Sequence, residues 1–413
     1  MAADHLNPVT LLLLRIAAGA GAAIDGDMAR LEGPGWRKLA QQAIDFRLGP
    51  WLVQAIADHR WPAPHDCMVL LERDRREQAL RALSQRRTLA HLARRMNALG
   101  MPHAALKGGA LIMEPHADRP ALRIMRDIDI LLAPADASRL HADLLASGWS
   151  VPPGYLRDAD PDSHHLAVIA DPENGNLIEL HVRLTKTAWP GEPGLRDRIL
   201  HSAITASCLG VRVGVADPFS NFLHLLAHAT LNRPFDPGPQ FLADISGLID
   251  HPAIDPDALA VEAQALGLGR ALGLALGLID HLAGLPDDRW RRLVTPGSDA
   301  QLEPAMHALL NPQGRDRELR FRGDIARSRS AASWLMASLG RAFSPRAEAL
   351  AAIAGREPDD PLRYLAYPRW IAQRISSMAR ATFDSGIRRD TIRAAALKDW
   401  LSSSPEGGAD EQV

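Results

Sequence analysis

Apolar residues recur at helical spacing through the first hundred residues of the chain. The spacing predicts helices over residues 6–18, 36–59 and 64–99, with arginine and glutamate between the apolar positions. The last of these helices ends at the segment Gly100-Met101-Pro102, because glycine followed closely by proline interrupts helices. Residues 1–100 are therefore interpreted as a helical N-terminal region.

The spacing changes from helical to alternating within residues 101–190. Successive side chains of a strand point to opposite faces of a sheet. A strand over residues 126–132 would place Asp127 and Asp129 on one face and apolar residues on the other. The alternation thus predicts a half-buried strand whose polar face carries two carboxylates.

A second alternating segment lies at residues 177–184. It places Glu179 and His181 on one face and apolar residues on the other. An apolar segment at residues 166–170 precedes it, and an Asn-Gly step at 174–175 lies between the two. This combination predicts a β-hairpin, because Asn-Gly favours the tight turns that join antiparallel strands.

Helical spacing returns after residue 190. We expect a helical domain over residues 191–345, followed by a basic helical region over residues 346–413 with a disordered tail from residue 402. The predicted fold class is α+β: a small mixed β-sheet core in residues 101–190, with helical regions before and after it.

The two predicted strands would gather three carboxylates if they lay side by side in one sheet. Asp127, Asp129 and Glu179 would then share a sheet face, where like charges repel unless a cation is present. Mg²⁺ is bound in this way, by one or two carboxylates together with substrate phosphates. The alternative is an ordinary half-exposed strand, since acidic and apolar residues alternate on many strands. We expect a Mg²⁺ or Mn²⁺ site at Asp127, Asp129 and Glu179.

The segment Leu106-Lys107-Gly108-Gly109 lies between a short apolar stretch and a predicted helix over residues 110–116. A strand, a glycine turn and a helix N-terminus together present free N–H groups and a favourable dipole to a phosphate. The alternative is a plain tight turn with a solvated lysine. The combination favours a phosphate-binding role for Lys107, Gly108 and Gly109.

These motifs together resemble the uncharacterised bacterial nucleotidyltransferase family, often called nucleotidyltransferase family 5, of the polymerase-beta-like superfamily. The resemblance covers about residues 85–250. It includes Lys-Gly, an arginine, an Asp-x-Asp pair and a third carboxylate, at Lys107, Gly108, Arg123, Asp127, Asp129 and Glu179. It implies a nucleotidyltransferase core, a nucleoside triphosphate substrate, with ATP expected, and a divalent metal. Where the superfamily has Gly-Ser, this chain has Gly108-Gly109.

Other polar residues near these motifs are open to more than one interpretation. Arg123, which the resemblance implies is functional, could hold triphosphate oxygens or pair with the carboxylates, and Arg126 is interpreted as such an ion pair. His181 is predicted to contact the nucleotide, with metal ligation or orientation of Glu179 as alternatives. His164 and His165 are interpreted as surface residues.

His224 and His228 share one helix face, a spacing that can bind zinc. The zinc-protease motif requires glutamate after the first histidine, and this chain has Leu225. We therefore expect helix-contact histidines, with His228 and Asp244 facing an acceptor cleft as the alternative.

The composition restricts the partners and the compartment. The net charge of −2 gives no field that would attract nucleic acid, so a nucleic-acid partner is not expected. The two cysteines, Cys67 and Cys208, support neither a disulfide framework nor a cysteine-based zinc site. The chain has no run of 18 apolar residues, so we expect no transmembrane segment and a cytoplasmic location.

Arginines in residues 315–329 and 362–400 are interpreted as solvated helix faces, with a membrane surface or acidic partner as the alternative.

The expected reaction is nucleoside monophosphate transfer to a hydroxyl group, with release of pyrophosphate. Asp127, Asp129 and Glu179 would hold two metal ions, and Lys107 with the glycine turn would hold the leaving phosphates. The acceptor would be a small molecule, a peptide or a polysaccharide precursor. Two alternatives remain: a toxin-like transferase that modifies tRNA or protein, and a catalytically inactive nucleotide-binding scaffold.

Overall fold

The computed structural model of the 413-residue chain describes residues 6–114, 116–153, 155, 163–232, 234–295, 298–310, 345, 347–356, 360–383 and 385–402. The predicted arginine-rich segment 315–329 and the predicted tail beyond residue 402 lie outside the described residues.

The N-terminal region is helical, as predicted. Its helices are α1 (Pro8–Ala17), α2 (Asp25–Ala29), α3 (Gly33–Asp45), α4 (Gly49–His59) and α5 (His65–Ala98). The single helix predicted over residues 36–59 is two helices, because Arg47 adopts a left-handed φ of 61° and Pro50 begins a new helix. The break directs the Arg47 side chain into the cleft described below.

The sheet core begins directly after α5. In chain order it contains β1 (His103–Ala105), α6 (Lys107–Leu111), β2 (Asp127–Leu132), α7 (Pro134–Ala146), β3 (Ile169–Ala170), β4 (Leu177–His181), α8 (Glu192–His201), β5 (Ile204–Cys208) and β6 (Val211–Val215). The strand order is β3-β4-β2-β1-β6-β5. Strands β2 and β4 pair in parallel, as do β1 and β6, and the remaining pairs are antiparallel. The predicted α+β class with a small mixed sheet is confirmed.

Strands β5 and β6 lie in a range that the sequence analysis took as helical. They alternate side chains as Ile-Thr-Ala-Ser-Cys and Val-Arg-Val-Gly-Val, and they are joined by Leu209 and Gly210, both with positive φ. Two positive φ values in a two-residue turn are typical of a β-hairpin. The sheet therefore extends beyond residue 190, and the division of the chain into domains stays a prediction.

The helices after the sheet are α9 (Pro218–Ala227), α10 (Gln240–Ile249), α11 (Pro256–Ala265), α12 (Gly269–Leu282), α13 (Asp288–Arg291) and α14 (Asp299–Leu309). Among the described residues that follow, three more helices occur: α15 (Ala347–Ala354), α16 (Tyr367–Phe383) and α17 (Ser385–Ser402). Helix α9 contacts α6, and α10 contacts α1. One apolar core joins the N-terminal helices, the sheet and helices α9 to α14. This core holds the sheet and both helical flanks around one cleft.

Two further expectations concern the cysteines and the membrane. Cys67 and Cys208 are both buried and free. Within the described ranges, none of the helices has the length and apolar character needed to cross a lipid bilayer.

The buried His116 is expected to make stability depend on pH. Its ring meets Trp51 edge-on with 5.6 Å between centroids, and burial, together with Arg119 and Arg123, lowers its pKa to about 4. A histidine that is neutral when folded and has a pKa of about 6.5 when unfolded contributes stability above pH 6.5, and this contribution is lost as the pH falls toward 4.

Between pH 7.5 and 5 the loss from His116 should be about 2 kcal/mol. We expect the unfolding free energy of wild type minus that of His116→Phe, measured with urea, to fall by this amount, because other groups cancel in the difference. An unchanged difference between the two pH values would show that His116 is protonated in the folded state.

Candidate active site

Three carboxylates meet where the parallel strands β2 and β4 lie side by side. Asp129 pairs in register with Glu179. Asp127 lies two residues before Asp129, and therefore on the same face of β2. All three line a cleft of about 290 Å³ together with Lys107 and Gly108. The structure thus brings the three predicted carboxylates and the predicted phosphate turn to one place.

Asp129 is the most strongly bound of the three carboxylates. Its Oδ1 lies 3.0 Å from Nζ of Lys107 and 2.7 Å from Nε2 of His181, and all three side chains are largely or fully buried. Although burial opposes it, the charge of Lys107 and the hydrogen bond from His181 hold the pKa of Asp129 well below its ordinary value. Burial lowers the pKa of His181, but its hydrogen bonds to the carboxylates of Asp129 and Glu179 outweigh burial and raise that pKa to about 9. Asp129 is therefore ionised.

Among the residues that the structure describes, Asp127 has no such partner. Burial and the charges of Asp129 and Glu179 raise its pKa to about 7. Burial also acts against the charge of Glu179, yet the hydrogen bond from His181 lowers the pKa of Glu179. The polar face therefore holds more negative charge than Lys107 and His181 neutralise, and Asp127 is the carboxylate at which the excess remains.

The turn at Lys107 is less open than the sequence analysis predicted. The N–H of Lys107 donates to Oδ1 of Asn221 at 2.9 Å, and those of Gly109 and Ala110 donate to the carbonyl of Leu106. Helix α6 ends at Leu111 rather than at the predicted residue 116. Among the described residues, the N–H of Gly108 is left without a partner in this turn, so it is the group available to a phosphate oxygen.

Glycine at 108 is required by packing. A Cβ there would lie 2.6 Å from Cγ of Met125. Lys107 itself adopts a φ of 49°, which is unusual for a residue with a side chain. The strained turn aims the lysine at Asp129.

Arg123 is held in an ion pair away from the carboxylates of the sheet. Its Nε lies 2.7 Å from Oδ1 of Asp244 on α10, and both side chains are buried. Its Nη1 donates to the carbonyl of Ile124 at 2.8 Å. Burial raises the pKa of Asp244 to about 6, even though Arg123 lowers it. The nucleotide-binding role predicted for Arg123 stays a prediction.

Two other arginines line the cleft near this pair. Arg126 is exposed and makes no ion pair with any described residue, which differs from the pairing predicted for it. Arg47 enters from the break between α3 and α4, and burial, Arg126 and Arg123 lower its pKa to about 10. Arg47, Arg123 and Arg126 therefore line the same cleft as the three carboxylates.

His164 and His165 lie in the cleft, although they were interpreted as surface residues. The carbonyl of His164 accepts hydrogen bonds from the N–H groups of Val182 and Arg183, at 2.9 and 3.0 Å. Nε2 of His165 lies 3.6 Å from Oε1 of Glu179. Burial, with the charges of His181 and His165, lowers the pKa of His164. The sequence signal that could have placed these two histidines in the cleft was their position directly before the hairpin that carries Glu179.

His224 and His228 on α9 and the turn after it lie close to each other, with ring centroids 6.3 Å apart. His224 is fully buried and its Nε2 lies 3.4 Å from the carbonyl of Leu184, which fits the expected helix-contact role. His228 and Asp244 both line the cleft. Arg47, Asp236 and Gln240 also line it, and no sequence motif marked them.

The comparison with protein families agrees with this geometry. Residues 32–284 match a family described as an uncharacterised nucleotidyltransferase. The match covers more than half of the chain, so the protein belongs to this family. Membership supports nucleotidyl transfer in general, with a nucleoside triphosphate as substrate. The comparison with curated proteins gives no match.

Proposed function

We propose that the protein transfers a nucleoside monophosphate from a nucleoside triphosphate to a hydroxyl group of a small molecule, peptide or polysaccharide precursor, with release of pyrophosphate. The observation that carries this proposal is the meeting of Asp127, Asp129 and Glu179 with Lys107 in one cleft. Family membership supports the same class of reaction.

The donor set fits a hard divalent cation. Carboxylate oxygens are the ligands that Mg²⁺ and Mn²⁺ prefer. The raised pKa of Asp127 indicates that the negative charge of the site is not neutralised by the protein alone. Asp127, Asp129 and Glu179 would hold the metal, which when bound supplies charge neutralisation of the phosphates and activation of the hydroxyl.

The remaining residues of the cleft position the substrates. The N–H of Gly108 and the ammonium of Lys107 are proposed to face the leaving phosphates, because the transition state concentrates negative charge there. Arg126 and Arg47 are proposed to bind further phosphate oxygens, since neither guanidinium pairs with a carboxylate of the described residues and Arg47 donates only a long hydrogen bond of 3.4 Å to the carbonyl of Pro237. Gly109 supports the turn, because its N–H bonds to Leu106.

His181 is proposed to act through its neighbours. Its side chain is fully buried, and its Nε2 lies 2.7 Å from Asp129 and 3.4 Å from Oε2 of Glu179. It therefore positions the two carboxylates. Direct contact between His181 and the nucleotide stays a prediction.

A thermal-shift screen tests the proposal. Wild type and Asp127→Asn are melted with ATP, GTP, CTP or UTP, each with Mg²⁺ and with a chelator. The preferred triphosphate at a hundred times its Kd should stabilise the wild type by about 2.7 kcal/mol, and only with metal. Asp127→Asn should lose this stabilisation.

The outcomes separate the candidate functions. Stabilisation by one triphosphate that needs both metal and Asp127 supports the transferase. Nucleotide binding that survives without metal and in Asp127→Asn would support the inactive scaffold instead. No stabilisation by any triphosphate would contradict both.

A further inference from the structure

The loop before β3 places the imidazole of His164 close to Glu179 and His181 of β4. The carbonyl of His164 accepts two backbone hydrogen bonds from residues just after β4, which fixes its position. The rings of His164 and His181 lie 4.9 Å apart between centroids, at 68° to each other. Glu179 precedes His181 by two residues on the same strand. His164 and Glu179 both line the cleft, and His181 lies directly beside them.

Three side chains of this group have the arrangement of a metal site. One ligand atom each from His164, Glu179 and His181 lies within 4.8 Å of the other two. Nδ1 of His164 is buried and has no hydrogen-bond partner among the residues that the structure describes. A buried imidazole nitrogen without a partner is costly unless a ligand occupies it.

His181 is already oriented as a ligand. Its Nδ1 lies 3.2 Å from the backbone carbonyl of Arg183, so this nitrogen donates its proton there. Its Nε2 lies 2.7 Å from Oδ1 of Asp129, to which it donates in the metal-free protein, and 3.4 Å from Oε2 of Glu179, so it would release its proton when the ion binds. Metal-binding histidines are typically fixed in this way, by a hydrogen bond from the nitrogen that does not bind the metal.

We propose that His164, Glu179 and His181 form a binding site for a transition-metal dication such as Zn²⁺. Two imidazoles and one carboxylate make up the ligand set of many zinc sites that keep a fourth position open. Imidazole nitrogens favour Zn²⁺, Ni²⁺ or Cu²⁺ over Mg²⁺. The site is distinct in its chemistry from the set Asp127, Asp129 and Glu179, although Glu179 belongs to both.

The inference goes beyond the proposed transfer reaction, because binding of the ion at this site needs no nucleotide and no acceptor. A failure of the protein to bind nucleotides would therefore not contradict the proposed transition-metal site. In the same way, absence of Zn²⁺ binding would leave the nucleotidyl-transfer proposal standing, since that proposal rests on the carboxylates and Lys107.

The test is competition between the full-length protein and a chromophoric chelator for Zn²⁺, in the presence of excess Mg²⁺. We expect one tight site in the wild type. His164→Gln should bind at least about 10-fold more weakly. His165→Gln is the matched control, because His165 is adjacent but lies outside the three-ligand group, and it should bind as the wild type does. Asp127→Asn should also retain the site.

Equal weakening in His164→Gln and His165→Gln would overturn the assignment of the ligands. Weakening in Asp127→Asn as large as in His164→Gln would place the ion among the carboxylates and overturn the proposal. A second measurement uses the wild type, so that it does not depend on how a variant folds. Cu²⁺ at one equivalent should show pulsed electron-paramagnetic-resonance coupling to imidazole nitrogen, and absence of that coupling would contradict the proposal.

Discussion

Asp127→Asn is expected to lower pyrophosphate release by at least about 100-fold, while making the metal-free protein more stable. Asparagine has the same shape but carries no charge, so it removes a metal ligand and also relieves repulsion from Asp129 and Glu179. Burial with these two charges already raises the pKa of Asp127 to about 7. The measurements are pyrophosphate release with the triphosphate found by thermal shift, and urea unfolding without metal.

A matched control is Asp118→Asn, which removes a well-exposed carboxylate paired with Arg119 in the loop before β2. It should leave both pyrophosphate release and stability close to those of the wild type. Wild-type turnover in Asp127→Asn would place the chemistry elsewhere in the cleft. A destabilised Asp127→Asn would show that Asp127 has a structural role instead.

Arg123→Met is expected to lower the free energy of unfolding by about 3–5 kcal/mol at pH 8. The change leaves the buried carboxylate of Asp244 without its partner, and such a charge is far more costly alone than as part of a pair. The double variant Arg123→Met/Asp244→Leu should recover most of the loss, because two apolar side chains can replace a buried ion pair. Urea unfolding of the three proteins measures both effects.

The pH dependence of the Arg123→Met effect follows from the carboxylate. Burial, opposed by Arg123, gives Asp244 a pKa of about 6 in the wild type, and removal of Arg123 should raise it further. The cost of the unpaired charge is therefore present above about pH 6 and falls as the pH is lowered and Asp244 takes up a proton.

Arg126→Met is the control for this prediction, because Arg126 is exposed and should change stability by no more than about 0.5 kcal/mol. If Arg123→Met proved as mild at pH 8 as Arg126→Met, the Arg123–Asp244 pair would have no part in holding α10 against the core. Such a result would leave Arg123 free for the nucleotide.

The alternation of side chains was sufficient to predict the strands that carry the candidate site. In the first strand, Asp127 and Asp129 alternate with the buried Ile128 and Ile130. In the second strand, the buried Leu180 follows Glu179. Such alternation is a local property, because each strand fixes which side chains share a face without reference to the rest of the chain. The turn Leu209-Gly210 and its two strands were missed, because helical spacing was taken to continue through the whole range after residue 190.

The order and direction of the strands depend on contacts between distant parts of the chain, and so does the position of Arg123 in the cleft. The sequence did not specify that β2 would pair in parallel with β4 while β1 lies antiparallel to β2. Arg123 is separated from Asp244 by more than a hundred residues, and their ion pair depends on where α10 packs.

The sequence by itself therefore determined the class of the fold and the side chains of the carboxylate face, because both follow from local periodicity and residue type. Only the tertiary structure decided that His164 approaches Glu179 and that Arg47 enters the cleft. Arg47 reaches the cleft from a segment distant in the chain, and packing of the common apolar core is what holds that segment beside the sheet.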